Sequence, residues 1–353
     1  METLTSHPTD KPKLILVGST FNPTHIKNYH DLVKDYFREV VVIGTKEVDF
    51  CRSIAVNFSL KNPLETRKNI KRLKAILKEE DPDIIHVHQA NSCAYLTGKA
   101  NEGRKPFVLT PWGSDVLLSD KAGYLKRQMI KKALSYADYM TSNSRILVKR
   151  IQDLGIHTET VMANFGIEYD NIEIPEKEEM IYSNRNLAPL YNVDQIIKAF
   201  AVFHEKHPSW KLIVGSKGDS LEELKKLAHD ILPEDSYEFI GFVSPEEKVN
   251  YYLRSKIWVS VPDSDSSSQS LYEAMGYGCI PVVSDLPANR ECINDNENGC
   301  VVTESLEASL ERALTLDLST VQKQNISIVE TTATKEVNRK KYCDLYSRIL
   351  NSN

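Results

Sequence analysis

The sequence predicts an α/β protein of two domains, each a parallel sheet with helices on both faces. Three observations carry this reading. The chain has 353 residues, too long for one ordinary core and a good length for two. Short apolar runs alternate with longer helix-like segments from end to end, the order of strands joined by crossover helices. The alternation breaks once, at residues 164–180 (NFGIEYDNIEIPEKEEM), a polar, acidic, turn-rich stretch that reads as a linker.

In the first block, strands are expected at Leu14–Val17, Val40–Ile43, Ile84–Val87, Phe107–Leu109 and Tyr139–Thr141, each a short and mostly apolar run. Such runs suit a sheet covered on both faces. Helical patterns lie between them, for example at Arg67–Lys78 and Lys126–Tyr136. After the linker come Ile181–Ser183, a helix from about Val193, Leu212–Val214, a helix from Ser220, Phe239–Ile240, a helix from Pro245, and Trp258–Val261. A helix carrying Glu273 and a strand at Pro281–Val283 follow, and Lys335–Leu350 reads as a last helix. The expected domains are therefore 1–165 and 166–335, with a terminal helix in 336–353. Open α/β sheets bind ligands at the carboxyl ends of their strands. Chemistry is thus expected in a cleft between two Rossmann-like domains.

Composition narrows the partners. The chain is 41% hydrophobic and 26% charged, near the globular average. With 44 basic and 49 acidic residues its net charge is −5, so the fold has no excess of positive charge to collect nucleic acid. The six cysteines form no C-x-x-C and suit neither a zinc site nor a disulfide framework, which points to free thiols in a reducing cytosol. The first residues are polar, and no run approaches the about 18 apolar residues of a membrane helix. A cytoplasmic protein, at most peripheral at the inner face of a membrane, is expected.

Residues 258–291 (WVSVPDSDSSSQSLYEAMGYGCIPVVSDLPANRE) carry the most chemical information. A β-rich run feeds a serine-rich loop, then a helix, then a second strand. The first turn of such a helix has free N–H groups and the positive end of the macrodipole, a natural seat for phosphate. Here the seat is dressed with Ser266, Ser267, Ser268, Gln269 and Ser270, and flanked by Asp265 and Glu273. Donors for a diphosphate beside carboxylates for ribose and sugar hydroxyls are what a nucleotide-diphosphate-sugar site needs.

Asp265-x7-Glu273, followed by EAMGYGCIPVVSD and Glu291, resembles the E-x7-E signature of retaining GT-B glycosyltransferases of family 4 (glycosyl transferases group 1). The family usually has Glu where this chain has Asp265. The resemblance extends to Gly215-Ser216-Lys217-Gly218, similar to the family's G-x-G-x loop, and to Phe242-Val243, in a stretch whose backbone contacts the base. Arg185 matches the Arg that the family sets beside the leaving diphosphate, and Tyr191 stands where it has a Lys. Lys217 is a candidate for the missing charge. In the first domain, Thr110-Pro111-Trp112-Gly113-Ser114-Asp115 is similar to the family's T-x-H-G-S-D, with Trp112 in place of the His. Asp115 would bind a hydroxyl or cap the next helix. His86 and His88 share one side of a strand, and His88, nearer its end, is the candidate for the cleft.

The resemblance implies transfer of a hexose or N-acetylhexosamine, UDP-sugar favoured, to a glycan or lipid-linked glycan, in surface polysaccharide synthesis. Glu273 would bind ribose, Asp265 and the Ser266–Ser270 amides the donor sugar and diphosphate, and Arg185 the leaving group. Neither metal nor cofactor is expected. Two other readings stand beside it. A weakly active or non-catalytic sugar-nucleotide-binding protein would fit the departures at Tyr191 and Asp265. A nucleotidyltransferase is the remote one: Phe21-Asn22-Pro23-Thr24-His25 is similar to its phosphate motif, but Asn28 stands where a second His is needed. Asp263-Ser264-Asp265 is a D-x-D, the metal signature of a different transferase fold, yet it opens onto the phosphate seat. Basic runs at Arg67, Lys68, Lys71, Arg72 and Lys74, and at Lys126, Arg127, Lys131 and Lys132, are ordinarily solvated faces. In this family they also suit anionic lipid, at about 1 kcal/mol per cation.

Overall fold

In β1 (Lys13–Gly18) successive side chains point to opposite faces, and both faces are apolar. Ile15 and Val17 enter one buried layer, Leu14 and Leu16 another. A strand apolar on both sides belongs inside a covered parallel sheet. The computed structural model, which describes residues 11–352, has β1 inside such a sheet, between β2 and β4. The other strands are β2 (Glu39–Gly44), β3 (Ser53–Ala55), β4 (Ile84–His88), β5 (Phe107–Thr110), β6 (Tyr139–Ser142) and β7 (Thr160–Met162). They lie in the order β3-β2-β1-β4-β5-β6-β7, all parallel. The helices between them are α1 (Thr24–Val33), α2 (Pro63–Glu80), α3 (Ser92–Asn101), the short α4 (Ser114–Leu117), α5 (Tyr124–Leu134) and α6 (Arg145–Asp153). The start of α2 is set by Asn62, whose side chain accepts from Leu64 N at 2.9 Å, with Pro63 in the first turn.

The second unit repeats the plan. Its strands and helices run β8 (Glu178–Ser183), α7 (Val193–Lys206), β9 (Lys211–Gly215), α8 (Leu221–Ile231), β10 (Tyr237–Gly241), α9 (Pro245–Arg254), β11 (Ser255–Ser260), α10 (Gln269–Gly276), β12 (Ile280–Ser284), β13 (Cys300–Val302), α11 (Leu306–Thr315) and α12 (Leu318–Ile328). The sheet order is β10-β9-β8-β11-β12-β13, again parallel throughout. Ile181, Val214, Ile257 and Val259 fill one layer, and Tyr182, Ile213 and Trp258 the opposite one.

The first unit holds the chain up to Phe165 and again from Asn338, and the second holds Gly166–Val337. The return is made by α13 (Lys335–Asn351). Its Tyr342, Leu345, Tyr346 and Ile349 are buried with Leu14, Leu16 and Tyr29 on one face of the first sheet. The anchor there is polar. His86 Nδ1 lies 2.6 Å from Tyr346 Oη and 2.9 Å from Tyr29 Oη, and its Nε2 lies 2.6 Å from Thr110 Oγ1. His86, fully buried, therefore has both ring nitrogens satisfied.

The differences from the sequence expectation have local causes. β8 begins at Glu178, inside the stretch read as linker, because Glu178 pairs with Arg254 at 2.7 Å and adds onto Ser255 of β11. β3, β7 and β13 are three-residue strands at sheet margins, too short for a periodic signal. α5 ends at Leu134 rather than Tyr136, and the Tyr136 ring lies against Gly98 of α3, where a Cβ would meet it at 2.4 Å.

His86 and His88 give the first unit a pH signature. Burial lowers His86 well below 6.5, and burial together with nearby His25 lowers His88 to about 3. As pH falls below 6.5 the unfolded chain takes up protons that the native state refuses, so stability is complete above 6.5 and declines below it. The slope is about 1.4 kcal/mol per pH unit for each such histidine. Denaturant melts between about pH 7 and about pH 5 should show this decline. His88→Gln, which keeps an acceptor for its neighbour Trp112, should make it shallower; an unchanged slope would place the effect elsewhere.

Candidate functional site

In the second unit β8 and β11 are neighbours, but the chain leaves them toward opposite sides of the sheet, to β9 from one and to β12 from the other. The carboxyl ends of such a pair form the crevice where open α/β sheets take ligands. Arg185 follows β8 and Asp265 follows β11. The guanidinium Nη2 donates to Asp265 Oδ2 at 2.8 Å, and Nη1 donates to Ser268 Oγ. Its Cζ sits 4.9 Å from the centre of the Tyr191 ring, so Tyr191 acts as a cation–π floor rather than as a second charge. Ser268 is the N-cap of α10, its Oγ accepting from Leu271 N at 3.3 Å. The helix starts one residue later, at Gln269, so Ser266 and Ser267 belong to the preceding loop, while Gln269 Nε2 turns away to Gly166 O at 3.1 Å. Ser270 lies in the first turn, and its carbonyl faces Tyr252 Oη at 3.4 Å. A mostly buried cation at a helix N-terminus joins two attractions for an anion.

Glu273, further along α10, is held from two sides. Oε1 accepts from Lys248 Nζ at 2.7 Å and Oε2 from Tyr252 Oη at 2.9 Å. Tyr252 in turn accepts from Asn184 Nδ2 at 2.7 Å, and Asn184 Oδ1 accepts from Trp258 Nε1 at 2.9 Å. Burial and the Glu273 charge both push the Tyr252 phenol far up, so it stays a donor to Glu273. Lys248 and Tyr252 are one turn apart on α9 and share a face. That phase is set by Pro245 and by a capping box in which Glu247 N donates to Ser244 Oγ and Ser244 N to Glu247 Oε2. Sequence reasoning did not name Lys248, Tyr252 or Asn184. The Ser244-Pro245-Glu246-Glu247 start signal was sufficient to place Lys248 and Tyr252 on one face, but not to show that this face meets Glu273.

The loop after β9 is tied down tightly. Ser216 takes a φ of 98° and its N donates to Gly241 O at 2.6 Å. Leu187 N donates to Lys217 O at 3.0 Å and Ser220 N to Leu187 O at 2.9 Å, which packs this loop on the one carrying Arg185. Gly218 is where they touch: a Cβ there would lie 2.2 Å from Leu187 O. At Gly215 the nearest contact would be Tyr182 Oη, at 3.1 Å. The Lys217 ammonium stands 5.3 Å from the Phe242 ring centre, and Phe242 is exposed just past the end of β10, followed by half-buried Val243.

In the first unit, His88 is fully buried at the end of β4 instead of open to solvent. Its Nδ1 accepts from Trp112 Nε1 at 3.2 Å, which fixes the half-buried indole. Asp115 does not cap α4. Its carboxylate accepts from the backbone N–H of Ala90 at 2.6 Å, Gly113 at 2.9 Å and Trp112 at 3.1 Å, clasping the loops after β4 and β5. Removal from water raises its pKa. The D-x-D splits: Asp263 accepts from Asn192 Nδ2 at 2.7 Å, while Asp265 faces Arg185. Among the described residues no three His, Cys, Asp or Glu side chains gather as a metal site. Asn298 is buried and serves its own turn, accepting from Asn294 N at 2.7 Å.

Residues 167–326 match the family described as Glycosyl transferases group 1, and residues 14–144 match Glycosyl transferase 4-like. Residues 167–326 are thus a group 1 glycosyltransferase domain. The chain's two units have the GT-B fold. The solved structure of Alr3699/HepE from Anabaena, in complex with UDP, superposes with a TM-score of 0.80 over 96% of this chain and 100% of that one, at 14% identity. Alpha-monoglucosyldiacylglycerol synthase of Streptococcus pneumoniae is 22% identical over 69% of this chain and 61% of its own length. An uncharacterized glycosyltransferase of Haemophilus influenzae is 28% identical over 35% of either chain. The chain thus spans less than two thirds of both curated relatives.

Within this domain the departures from the family pattern are coupled. Asp265 in place of Glu faces Arg185, and Tyr191 in place of Lys supports the same guanidinium from below. The close approach at Gly218 keeps that guanidinium's loop in place. Gly218→Ala should lower stability by about 1–3 kcal/mol by forcing the two loops apart. Thermal melts would show it, and an unshifted melt would mean that the loops move freely.

Proposed function

We propose that the chain is a retaining glycosyltransferase that moves a hexose or N-acetylhexosamine from a nucleotide diphosphate sugar, preferably a UDP-sugar, to a glycan or lipid-linked glycan. The observation that carries this is the Arg185–Asp265–Ser268 constellation beside Glu273 at the carboxyl ends of β8 and β11. Glu273, oriented by Lys248 and Tyr252, accepts from the ribose hydroxyls. Asp265 and the amides around Ser266–Ser270 hold donor sugar and diphosphate. Arg185 meets the negative charge that grows on the diphosphate as the anomeric carbon–oxygen bond breaks. The acceptor oxygen bonds to that carbon on the same face, and its proton passes to the departing diphosphate oxygen. Arg185 supplies the cationic role, so neither metal nor cofactor takes part. The Anabaena neighbour was solved with UDP and with UDP-glucose, which supports the donor class.

Acceptor and location follow from surface chemistry. Among the described residues no helix is long and apolar enough to cross a membrane. Yet α5 opens with Tyr124 (74% exposed) and Leu125 (83%), next to exposed Lys126, Arg127, Lys131 and Lys132. Apolar side chains for the acyl boundary among cations for anionic headgroups make a surface that docks reversibly on a membrane. With the name of the pneumococcal relative, this favours a lipid-linked acceptor at the inner face of a membrane, in surface polysaccharide or glycolipid synthesis.

A second reading is a sugar-nucleotide-binding protein with little or no turnover. It is favoured by Tyr191, which adds no charge beside Arg185. Thermal shift with UDP-, GDP- and ADP-sugars tests binding, and donor hydrolysis tests turnover. One donor should stabilise the protein, and Glu273→Ala should lose that shift. Arg185→Ala should lower kcat by about 100-fold with donor affinity nearly kept. Activity should survive EDTA. Donor binding with no hydrolysis and no transfer would establish the second reading, and no binding of any donor would overturn both. In a separate test, the protein should co-sediment with vesicles rich in phosphatidylglycerol and not with pure phosphatidylcholine, and Leu125→Glu should release it. Equal recovery from both vesicle types would remove the membrane surface from the proposal.

A further inference from the structure

Lys177, the residue before β8, carries a charge that the proposed donor chemistry leaves unused. Its ammonium donates to two backbone carbonyls rather than to a carboxylate, Tyr252 O at 2.8 Å and Tyr277 O at 2.6 Å. Tyr252 lies in the last turn of α9, and Tyr277 caps the carboxyl end of α10. Carbonyls there lack partners within their own helix, and the helix dipole makes both ends negative. One cation therefore ties the ends of two helices together. Burial lowers the Lys177 pKa, the mark of an ammonium that has given up hydration to sit there. The segment leading to it is moulded on α10. A Cβ on Gly276 would meet the Tyr169 ring at 2.9 Å, and one on Gly278 would meet Ile174 at 2.7 Å.

These two helices hold the Glu273 carboxylate between them. Tyr252 stands at the junction: its carbonyl accepts from Lys177, and its hydroxyl donates to Glu273 Oε2. Tyr277 closes the circuit. Its N–H donates to the Glu273 carbonyl at 3.0 Å, and its ring stacks on that of Tyr252, 6.1 Å between centres at 17°. Ser268 caps the other end of α10, roughly 13 Å from Tyr277 along the helix. We propose that Lys177 is a positioning residue. By tying α9 to α10 it sets the distance at which the Tyr252 hydroxyl holds Glu273, and so the affinity for the ribose of the donor. The link to affinity rests on the proposed ribose contact; the positioning does not.

Lys177→Met keeps the side-chain length and removes the N–H donors. It should raise the Kd for UDP in titration calorimetry by about tenfold, the worth of one loosened hydrogen bond to a carboxylate. Turnover in donor hydrolysis (kcat) should stay within about twofold, because Lys177 meets no reacting atom. Lys177→Arg, which keeps a cation able to serve both carbonyls, should restore most of the affinity. On a Tyr252→Phe background, where the hydroxyl link is already cut, Lys177→Met should add little. If Lys177→Met does not fold, Lys177→Gln, which keeps one donor group, is read in the same way with a smaller loss. Unchanged affinity, a fall in kcat as large as the loss of affinity, or the full loss on the Tyr252→Phe background overturns the proposal. If the wild type binds no UDP, the donor reading fails, and a crystal structure of ligand-free Lys177→Met decides the positioning. Tyr252 Oη still 2.9 Å from Glu273 there overturns it, and a broken contact upholds it.

Discussion

Every functional feature here depends on one constraint: in both units all strands are parallel, and the central ones are buried on both faces. Parallel pairing puts all carboxyl ends on one edge of each sheet, and burial of both faces forces helices to cross between them. Residues that follow different strands, far apart in the chain, are then delivered to one edge. Arg185 after β8 meets Asp265 after β11 for this reason, and Trp112 after β5 meets His88 at the end of β4 and His25 after β1.

The edge carrying Arg185 and Glu273 is electrostatically paired. Arg185 faces Asp265, and Lys248 faces Glu273. Half-buried charges need such pairing, since an uncompensated one would carry a desolvation penalty of several kcal/mol. The pairing also orients. Glu273 is kept from rotating by Lys248 and the Tyr252 hydroxyl, and Asp265 by Arg185 and the Ser266 N–H. Shortening Glu to Asp at 265 and replacing Lys by Tyr at 191 belong to one adjustment, in which the guanidinium is held by a close carboxylate above a ring.

Much of this was legible in the sequence. Most strands from Leu14 to Val283 were found because each is a short apolar run, and the helix starts at Val193 and Pro245 because turn residues precede them. Asp265 and Glu273 were found around a strand–loop–helix unit, and Arg185 from the resemblance to the family pattern. Roles assigned by residue type were less secure. Asp115 reads as a sugar-binding or capping carboxylate but spends its oxygens on three backbone N–H groups, and His88 reads as cleft-facing but is enclosed. Which neighbours surround a polar side chain is not encoded in its own spacing.

The sequence by itself determined the two doubly wound units, because burial of both strand faces is a property of consecutive residues, and it marked the start of the helix that Ser268 caps. Only the tertiary structure decided the partnerships: Lys248 with Glu273, Asn184 with Tyr252, the Gly218 backbone against Leu187, and His25 across from Trp112. Each joins elements whose separation along the chain says nothing of their distance, and that distance is set by how strands order in the sheet and which helix face turns inward.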